Sequence, residues 1–293
     1  MINTDIPFFN ELISILDKEV IKNTNNDLQN IYKNWNLENK INQFNSIPVI
    51  RKKHLLRYKN QIIPIEKVKL LGVDLPSWYG DFKSKNKIMI IGIDPMRGEK
   101  DFVKANANKT EELIIGTPYA FHIKAVRENF QNKNYTQFIN SLILDNNFVY
   151  LTDIYKTFFY TDINKENNFI RSYDYYGKFE NIRNTILASL LKEIRLVNPT
   201  IIITFGGISF NKLTFNNVSL SKNDIVKNSC FFKEEIFKEF KHIPIYPFMH
   251  PGRGTYKKNL VDFVFSNLGR TESDDFGNLF FEIIKKYEIL NND

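Results

Sequence analysis

The sequence predicts an α/β protein: a three-layer α/β/α sandwich around a central, mainly parallel four-stranded sheet, with a helical extension at the N-terminus. Two observations predict this fold. Four short, nearly continuous apolar runs recur along the chain, as expected for strands buried on both faces of a parallel sheet. Segments in which apolar residues recur at helical spacing lie between these runs, and strands alternating with helices are typical of βαβ units.

The N-terminal region is predicted to be helical and then irregular. Apolar residues recur at helical spacing in the first helix at Phe8, Leu12, Ile15, Leu16 and Val20. A second helix is expected from about residue 27 to residue 37. Residues 47–86 are broken by three prolines and are expected to be irregular. We therefore predict an extension over residues 1–86, packed on an α/β domain over residues 87–293.

The predicted strands are residues 87–94 (KIMIIGID), 148–155 (FVYLTDIY), 200–205 (TIIITF) and 243–249 (IPIYPFM). The helices predicted between and after them are residues 135–144, 181–197, 207–213, 261–268 and 276–287. Ligands of such sheets bind outside the carboxyl ends of the strands. At those ends the chain carries Asp94, Asp153, the pair Gly206-Gly207 and His250. We expect the acids and the histidine to form a site, and the glycines to allow close packing of a strand and a helix.

Charge and cysteine content narrow the function classes. The formal net charge is +7, which suits a polyanionic partner. No apolar run approaches the length of a membrane span, and the N-terminus lacks the pattern of a secretory signal, so we expect a cytoplasmic, nucleoid-associated protein. Cys230 is the one cysteine, which excludes an internal disulfide, a four-cysteine zinc site and a cysteine-held iron–sulfur cluster. We expect a monomer without metal or other cofactor.

Five segments, in this order, resemble motifs of the uracil-DNA glycosylase superfamily. They are residues 92–96 (GIDPM), 116–119 (GTPY), 149–153 (VYLTD), 199–206 (PTIIITFG) and 250–252 (HPG). The family motifs that they resemble read G-Q-D-P-Y, Gly-x-x-aromatic, V-Y-I-T-N, P-x-x-I-x-x-L-G and H-P-S. The resemblance covers about residues 87–268. It implies the fold of that family and a hydrolase that removes a base from single- or double-stranded DNA.

The resemblance also implies a role for each matching residue. Asp94 would orient the attacking water and stabilise the sugar cation, and His250 would stabilise the leaving base. Tyr119 would stack on the flipped base, with Phe121 as the second candidate. The other candidates for the base pocket are Ile93, Met96 and Asp153. The DNA-binding candidates are Arg97, Lys257 and Lys258 for contact with phosphates, and Arg253 or Tyr256 for filling the gap left by the flipped base.

The chain departs from the family pattern at three positions. Asp153 stands where the family has an Asn that reads the pyrimidine edge, and an ionised Asp only accepts hydrogen bonds. Uracil is the leading substrate only if Asp153 is protonated in a desolvated pocket. Gly252 replaces the Ser of H-P-S, and Met96 replaces the Tyr that excludes the thymine methyl group. The recognised base therefore stays open.

Structural interpretations and other functions stay open as well. Asp94 before Pro95 is typical of a turn, Asp153 of a helix cap or turn, and His250 and Tyr119 of ordinary loop and core residues. One alternative function is a DNA-binding protein on the glycosylase fold with altered or lost activity. Another is an α/β enzyme that processes free nucleotides or nucleosides. The N-terminal helices are a candidate surface for a protein partner.

Overall fold

The structure is a computed structural model that describes residues 2, 4–20, 25–36, 49–51, 68–93, 112–123, 127, 133–161, 169–170, 180–214, 218–220, 224–232, 238–251, 257–270 and 275–290. The chain divides into two compact units. The first unit comprises Met1–Ser77, Asp94–Ile123 and Thr152–Leu196, and the second comprises Trp78–Ile93, Lys124–Leu151 and Val197–Asp293. The predicted division between residues 86 and 87 stays a prediction.

Within the described residues the elements run as follows. The helices are α1 Phe9–Glu19, α2 Asn25–Asn36, α3 Lys133–Leu144, α4 Glu180–Val197, α5 Gly207–Leu213, α6 Ile225–Asn228, α7 Lys257–Leu268 and α8 Phe276–Lys286. The strands are β1 Val49–Arg51, β2 Val68–Asp74, β3 Ser77–Tyr79, β4 Lys87–Gly92, β5 Glu112–Gly116, β6 Phe148–Asp153, β7 Thr157–Thr161, β8 Phe169–Ile170, β9 Ile201–Phe205 and β10 Ile245–Phe248. Short 3₁₀ turns lie at Pro118–Ala120 and Lys238–Phe240.

The central sheet has the strand order β10-β9-β4-β6-β3. Strand β9 pairs in parallel with β4 on one side and with β10 on the other. The four predicted strands are confirmed as β4, β6, β9 and β10, and every residue of β6 and β9 is buried. Burial of both faces explains why these strands read as continuous apolar runs rather than as alternating ones. The predicted α/β class with a mainly parallel central sheet is confirmed, but the sheet has five strands and not four, because β3 pairs with β6 at its edge.

A second, mixed sheet lies wholly in the first unit, with the order β1-β5-β2-β7-β8. Strand β2 is parallel to β5 and antiparallel to β7. The prediction of irregular backbone over residues 47–86 is therefore wrong, because β1, β2 and β3 lie there. The partners of β2 begin at Glu112 and Thr157, far along the chain, so the pairing that makes this segment a strand is not visible in the local pattern.

The N-terminal helices are confirmed and belong to the first unit. The apolar residues that predicted α1 are all buried, which is the stripe expected of a helix lying on a core. The ring of Phe9 in α1 meets Tyr32 of α2 edge-on, with 5.6 Å between the ring centroids. Aromatic pairs of this geometry add about 0.5–1.5 kcal/mol beyond their area burial.

In the second unit, aromatic rings join three helices to the central sheet. Phe138 of α3 contacts Phe248 of β10 at 5.6 Å and Phe280 of α8 at 5.7 Å. Phe263 of α7 meets Phe280 at 5.3 Å. These rings are almost fully buried, and burial of each contributes roughly 1.5–3 kcal/mol to folding. This packing fixes α3 against β10, the strand that precedes His250.

The glycine pair after β9 works differently from the prediction. Gly206 has a φ of 91°, and a Cβ there would meet no atom within 4 Å. A glycine is therefore required at position 206 because residues with a side chain rarely adopt this backbone conformation, and not because a strand and a helix pack closely there.

No helix in the described part of the chain is long and apolar enough to cross a bilayer.

Candidate active site

The candidate residues stand at the carboxyl ends of the central strands. Asp153 is the last residue of β6, and His250 follows the last residue of β10 by two positions. Ile93 follows β4 and is half-buried. The candidates that lie outside the described residues are Asp94, Met96, Arg97, Arg253 and Tyr256.

Tyr119 is presented by a strained turn between β5 and the segment that follows it. Tyr119 and Ala120 have φ values of 61° and 53°, in the left-handed region. For residues other than glycine this conformation costs about 1–2 kcal/mol each. Within the turn, the backbone N–H of Ala120 donates to the carbonyl of Thr117 at 2.9 Å, and that of Ile123 donates to the carbonyl of Ala120 at 3.0 Å. Strain held in this way is typical of functional sites.

The Tyr119 turn and the end of β6 lie close enough for the charge of Asp153 to act on Tyr119. The Asp153 side chain is 4 % exposed, and Tyr119 is half-buried. Burial, and then the negative charge of Asp153, raise the pKa of Tyr119 well above its ordinary value of 10. The phenol therefore stays neutral at physiological pH. An aromatic face and a hydrogen-bonding carboxyl group are together suited to holding a planar, polar base.

A buried charged cluster supports the end of β6, and sequence reasoning missed it. Nζ of Lys156 lies 2.7 Å from Oε1 of Glu193, with the two side chains 4 % and 0 % exposed. Nζ of Lys156 also donates to Oγ1 of Thr152 at 2.6 Å and to the backbone carbonyl of Asp153 at 3.2 Å. Oγ1 of Thr152 donates to Oε2 of Glu193 at 2.9 Å. The cluster therefore fixes the main chain on which the Asp153 carboxyl group is mounted.

One signal in the sequence marked this cluster. Glu193 lies on the apolar side of α4, between the positions of Leu190 and Ile194, where a charged residue is out of place. Such residues are almost never fully buried without a partner. The sequence does not reveal that the partner is Lys156, because the two positions lie on different elements.

His250 is held by residues of α3. The hydroxyl of Tyr135 lies 2.7 Å from Nδ1 of His250 and also contacts Nε2. The amide of Asn134 donates to the carbonyl of Pro251 at 3.3 Å, which anchors the next residue of the loop. The ring of Phe205 lies 6.5 Å from that of His250.

The surroundings of His250 keep its ring neutral. One side of the residue is open to solvent, whereas its ring packs edge-on against Tyr135. Burial in this aromatic environment lowers the pKa of His250 from 6.5 to about 4. A neutral imidazole donates through one nitrogen and accepts through the other. If Tyr135 donates to one nitrogen, the other nitrogen carries the N–H.

The remaining candidates divide by exposure. Phe121 is 1 % exposed and packs inside the first unit, so we carry only Tyr119 forward as the stacking ring. Lys258 is exposed in the first turn of α7, where a phosphate contact is accessible. Lys257 begins the same helix, and its side chain lies outside the described residues. Among the described residues no cluster of His, Cys, Asp and Glu could hold a metal ion.

His122, to which the sequence assigned no role, is buried beside the Tyr119 turn. Oγ1 of Thr117 lies 2.9 Å from its Nδ1, and the ring of Trp35 packs against it. No local pattern indicates this contact, because Trp35 belongs to α2, far from His122 along the chain.

The family model of the uracil DNA glycosylase superfamily matches residues 79–265. The chain belongs to this superfamily. The match includes all five segments that resembled the family, and it confirms the predicted resemblance over about residues 87–268. A search of curated proteins gave no match. Membership supports a DNA glycosylase-like function with DNA as the substrate. It also places the strand ends after β4, β6 and β10 inside the glycosylase domain.

Proposed function

We propose that this superfamily member is a DNA base glycosylase that hydrolyses the N-glycosidic bond of a flipped deaminated or modified base. The observation that carries the proposal is the pair of Tyr119 and the buried Asp153 at the end of β6, inside the matched domain. A target base inside a duplex must leave the stack to be reached. A ring beside a buried carboxyl group is suited to receive it, with stacking worth about 1–3 kcal/mol.

The proposed reaction proceeds through a sugar with oxocarbenium character, as in glycoside hydrolysis. The bond between C1′ and the base nitrogen breaks, and its electron pair leaves with the base. The oxygen of a water molecule bonds to C1′, and the carboxylate of Asp94 takes a proton from that water. The base is protonated by solvent, so the products are the free base and an abasic site. Asp94 also stabilises the sugar cation by its negative charge.

His250 is proposed to stabilise the departing base. Negative charge grows on a carbonyl oxygen of the base as the bond breaks, and an oriented N–H donor stabilises it. The pKa of His250, about 4, means that the donor is neutral imidazole at physiological pH. Neutral imidazole serves this purpose in other enzymes whose His pKa is lowered by its surroundings. Removing one oriented donor of this kind costs about 2.7–4 kcal/mol of the barrier.

Asp153 is proposed to set which base is accepted. A protonated carboxyl group offers one O–H donor and one acceptor, which matches the adjacent carbonyl and N–H of uracil. An ionised carboxylate offers acceptors only, which matches a base with adjacent N–H donors. Because the chain belongs to the uracil DNA glycosylase superfamily, we take uracil as the first substrate to test. Ile93 and Met96 are proposed to line the same pocket.

Contacts with the DNA backbone are proposed for basic residues that flank the candidate site. Lys258 is exposed, and Arg97 and Lys257 are proposed on their positions in the sequence. Arg253 or Tyr256 is proposed to fill the gap that the flipped base leaves. With a net charge of +7, affinity for DNA should fall steeply as salt is raised, because each phosphate contact releases counterions. We propose that the protein acts as a monomer in the cytoplasm or nucleoid, and that residues 1–86 form an extension of the domain over residues 87–293.

A panel of modified oligonucleotides tests the proposed function. Wild-type protein and His250→Ala are incubated with single- and double-stranded DNA carrying uracil, hypoxanthine, xanthine or thymine mismatches, and abasic sites are cleaved by alkali. We expect base release by wild type and a rate about 100–1,000-fold lower for the variant. Salt-sensitive DNA binding without release of any base would favour the non-catalytic alternative. Thermal stabilisation by free nucleotides but not by DNA would favour the nucleotide-processing one.

A further inference from the structure

The turn that carries Tyr119 has a conformation that its own residues disfavour. Tyr119 and Ala120 both lie in the left-handed region, and neither is glycine. Strained backbone of this kind persists only where the surrounding structure over-determines it. The residues that surround the turn therefore decide where the Tyr119 ring points.

His122 closes the turn from its C-terminal side. Oγ1 of Thr117 accepts a hydrogen bond from the backbone N–H of His122 at 3.1 Å and lies 2.9 Å from Nδ1 of the ring. Thr117 is fully buried and His122 is nearly so. Two contacts between the first and last parts of the turn thus join its ends across Tyr119 and Ala120.

The His122 ring packs on Trp35, a residue of the N-terminal helix α2. The ring centroids lie 4.6 Å apart with an interplanar angle of 34°. Trp35 is held by Tyr32, which meets it edge-on at 5.2 Å. The hydroxyl of Tyr32 donates to the carbonyl of Pro76 at 2.8 Å. These contacts form a continuous line from α2 to the base of the turn, all within the first unit.

We propose that Trp35 is a positioning residue for Tyr119: helix α2 holds the aromatic turn in place through the contact between Trp35 and His122. The ring face of Trp35 makes this contact. Its indole N–H is buried and has no hydrogen-bond partner among the described residues. We therefore assign the positioning role of Trp35 to its ring and not to its N–H. The N-terminal helices are then part of the support of the base pocket. The role of the pocket rests on the proposed function, whereas the mechanical link does not.

Amide hydrogen exchange tests the mechanical link. The full-length variant Trp35→Leu keeps an apolar side chain and removes the ring, and Trp35→Phe is the matched control that keeps a smaller aromatic ring and removes the buried indole N–H. We expect exchange at Ala120, Phe121 and Ile123 to accelerate by about tenfold or more in Trp35→Leu and by less than about threefold in Trp35→Phe. Amides of β9 and β10, in the second unit, should be unchanged. If Trp35→Leu does not fold, His122→Leu removes the same contact from the other side and should give the same exchange.

Single-turnover base excision tests the consequence for the site. We expect the maximal rate of Trp35→Leu to fall by about 5–100-fold, the range set by base–aromatic stacking, while its Kd for substrate DNA stays within about twofold. Unchanged exchange at the turn in Trp35→Leu overturns the proposal. So does a wild-type excision rate in a variant whose turn exchanges rapidly. If wild type releases no base at all, the proposed function fails, and the exchange result alone decides whether Trp35 holds the turn.

Discussion

The hydroxyl of Tyr135 lies 2.7 Å from Nδ1 of His250, so the proposed electrophilic histidine is oriented by a buried phenol on α3. We expect Tyr135→Phe to lower the excision rate by about 3–10-fold, because a neutral hydrogen bond is worth about 0.5–1.5 kcal/mol and tenfold in rate is 1.36 kcal/mol. The matched control is Tyr287→Phe, which removes a hydroxyl that donates to the backbone of Asn267 in the same unit. Equal rates for Tyr135→Phe and wild type would exclude a positioning role.

The protonation state of His250 gives a second prediction. Its folded pKa of about 4 lies below the unfolded value of 6.5, so between these values the unfolded chain binds more protons than the folded one. The free energy of unfolding should therefore be greatest, as far as His250 is concerned, above pH 6.5 and should fall as pH decreases toward 4. NMR titration of the four histidine rings measures the pKa of His250 directly. A His250 midpoint near 6.5 would contradict a desolvated, neutral ring.

The Tyr119 ring should matter more than its hydroxyl. If the ring stacks on the base, Tyr119→Phe should retain excision activity within about threefold, and Tyr119→Ala should lose about 5–100-fold, as expected for stacking of about 1–3 kcal/mol. Single-turnover kinetics on the preferred oligonucleotide measure both. Loss of activity in Tyr119→Phe equal to that in Tyr119→Ala would instead assign the role to the hydroxyl.

The buried ion pair of Lys156 and Glu193 should be costly to break from one side. Lys156→Met or Glu193→Gln leaves a buried charge without its partner, and each is expected to lower the free energy of unfolding by about 3–5 kcal/mol. The double variant Lys156→Met/Glu193→Gln should cost less than the sum of the two single variants, because it removes both charges. Urea unfolding measures these values.

The exposed pair of Arg270 and Glu282 provides the control for that measurement. Both side chains are largely solvent-accessible, so Glu282→Gln should change the free energy of unfolding by no more than about 1 kcal/mol. If Glu193→Gln and Glu282→Gln lower the free energy of unfolding equally, a buried Lys156 without its partner costs no more than an exposed arginine without its partner.

The sequence predicted the parts of the fold that local patterns determine. Strands such as Ile201–Phe205 and helices such as Gly207–Leu213 matched the structure because buried strands and amphipathic helices have distinct periodicities. The mixed sheet was not predicted, since Val68–Asp74 carries Lys69 and Gly72 and becomes a strand through distant partners.

The same distinction holds in the candidate site. Tyr119 and Asp153 are candidates because they stand in motifs near the ends of strands, and their roles stay predictions. Tyr135 was missed as a partner of His250, since 115 positions separate the two residues. Candidate catalytic and binding residues can be found from local sequence motifs, whereas the residues that orient them are defined only by packing in three dimensions.

The most direct test of the central claim compares wild type with Asp94→Asn on uracil-containing and other modified oligonucleotides. Asp145→Asn, which neutralises an exposed acid in the turn after α3, is the control. We expect wild type and Asp145→Asn to release a base from at least one substrate and leave an intact abasic site, while Asp94→Asn binds the same DNA and releases the base at least about 100-fold more slowly. Base release by Asp94→Asn at the wild-type rate, or by none of the three proteins, would contradict the proposal that Asp94 drives glycosidic hydrolysis.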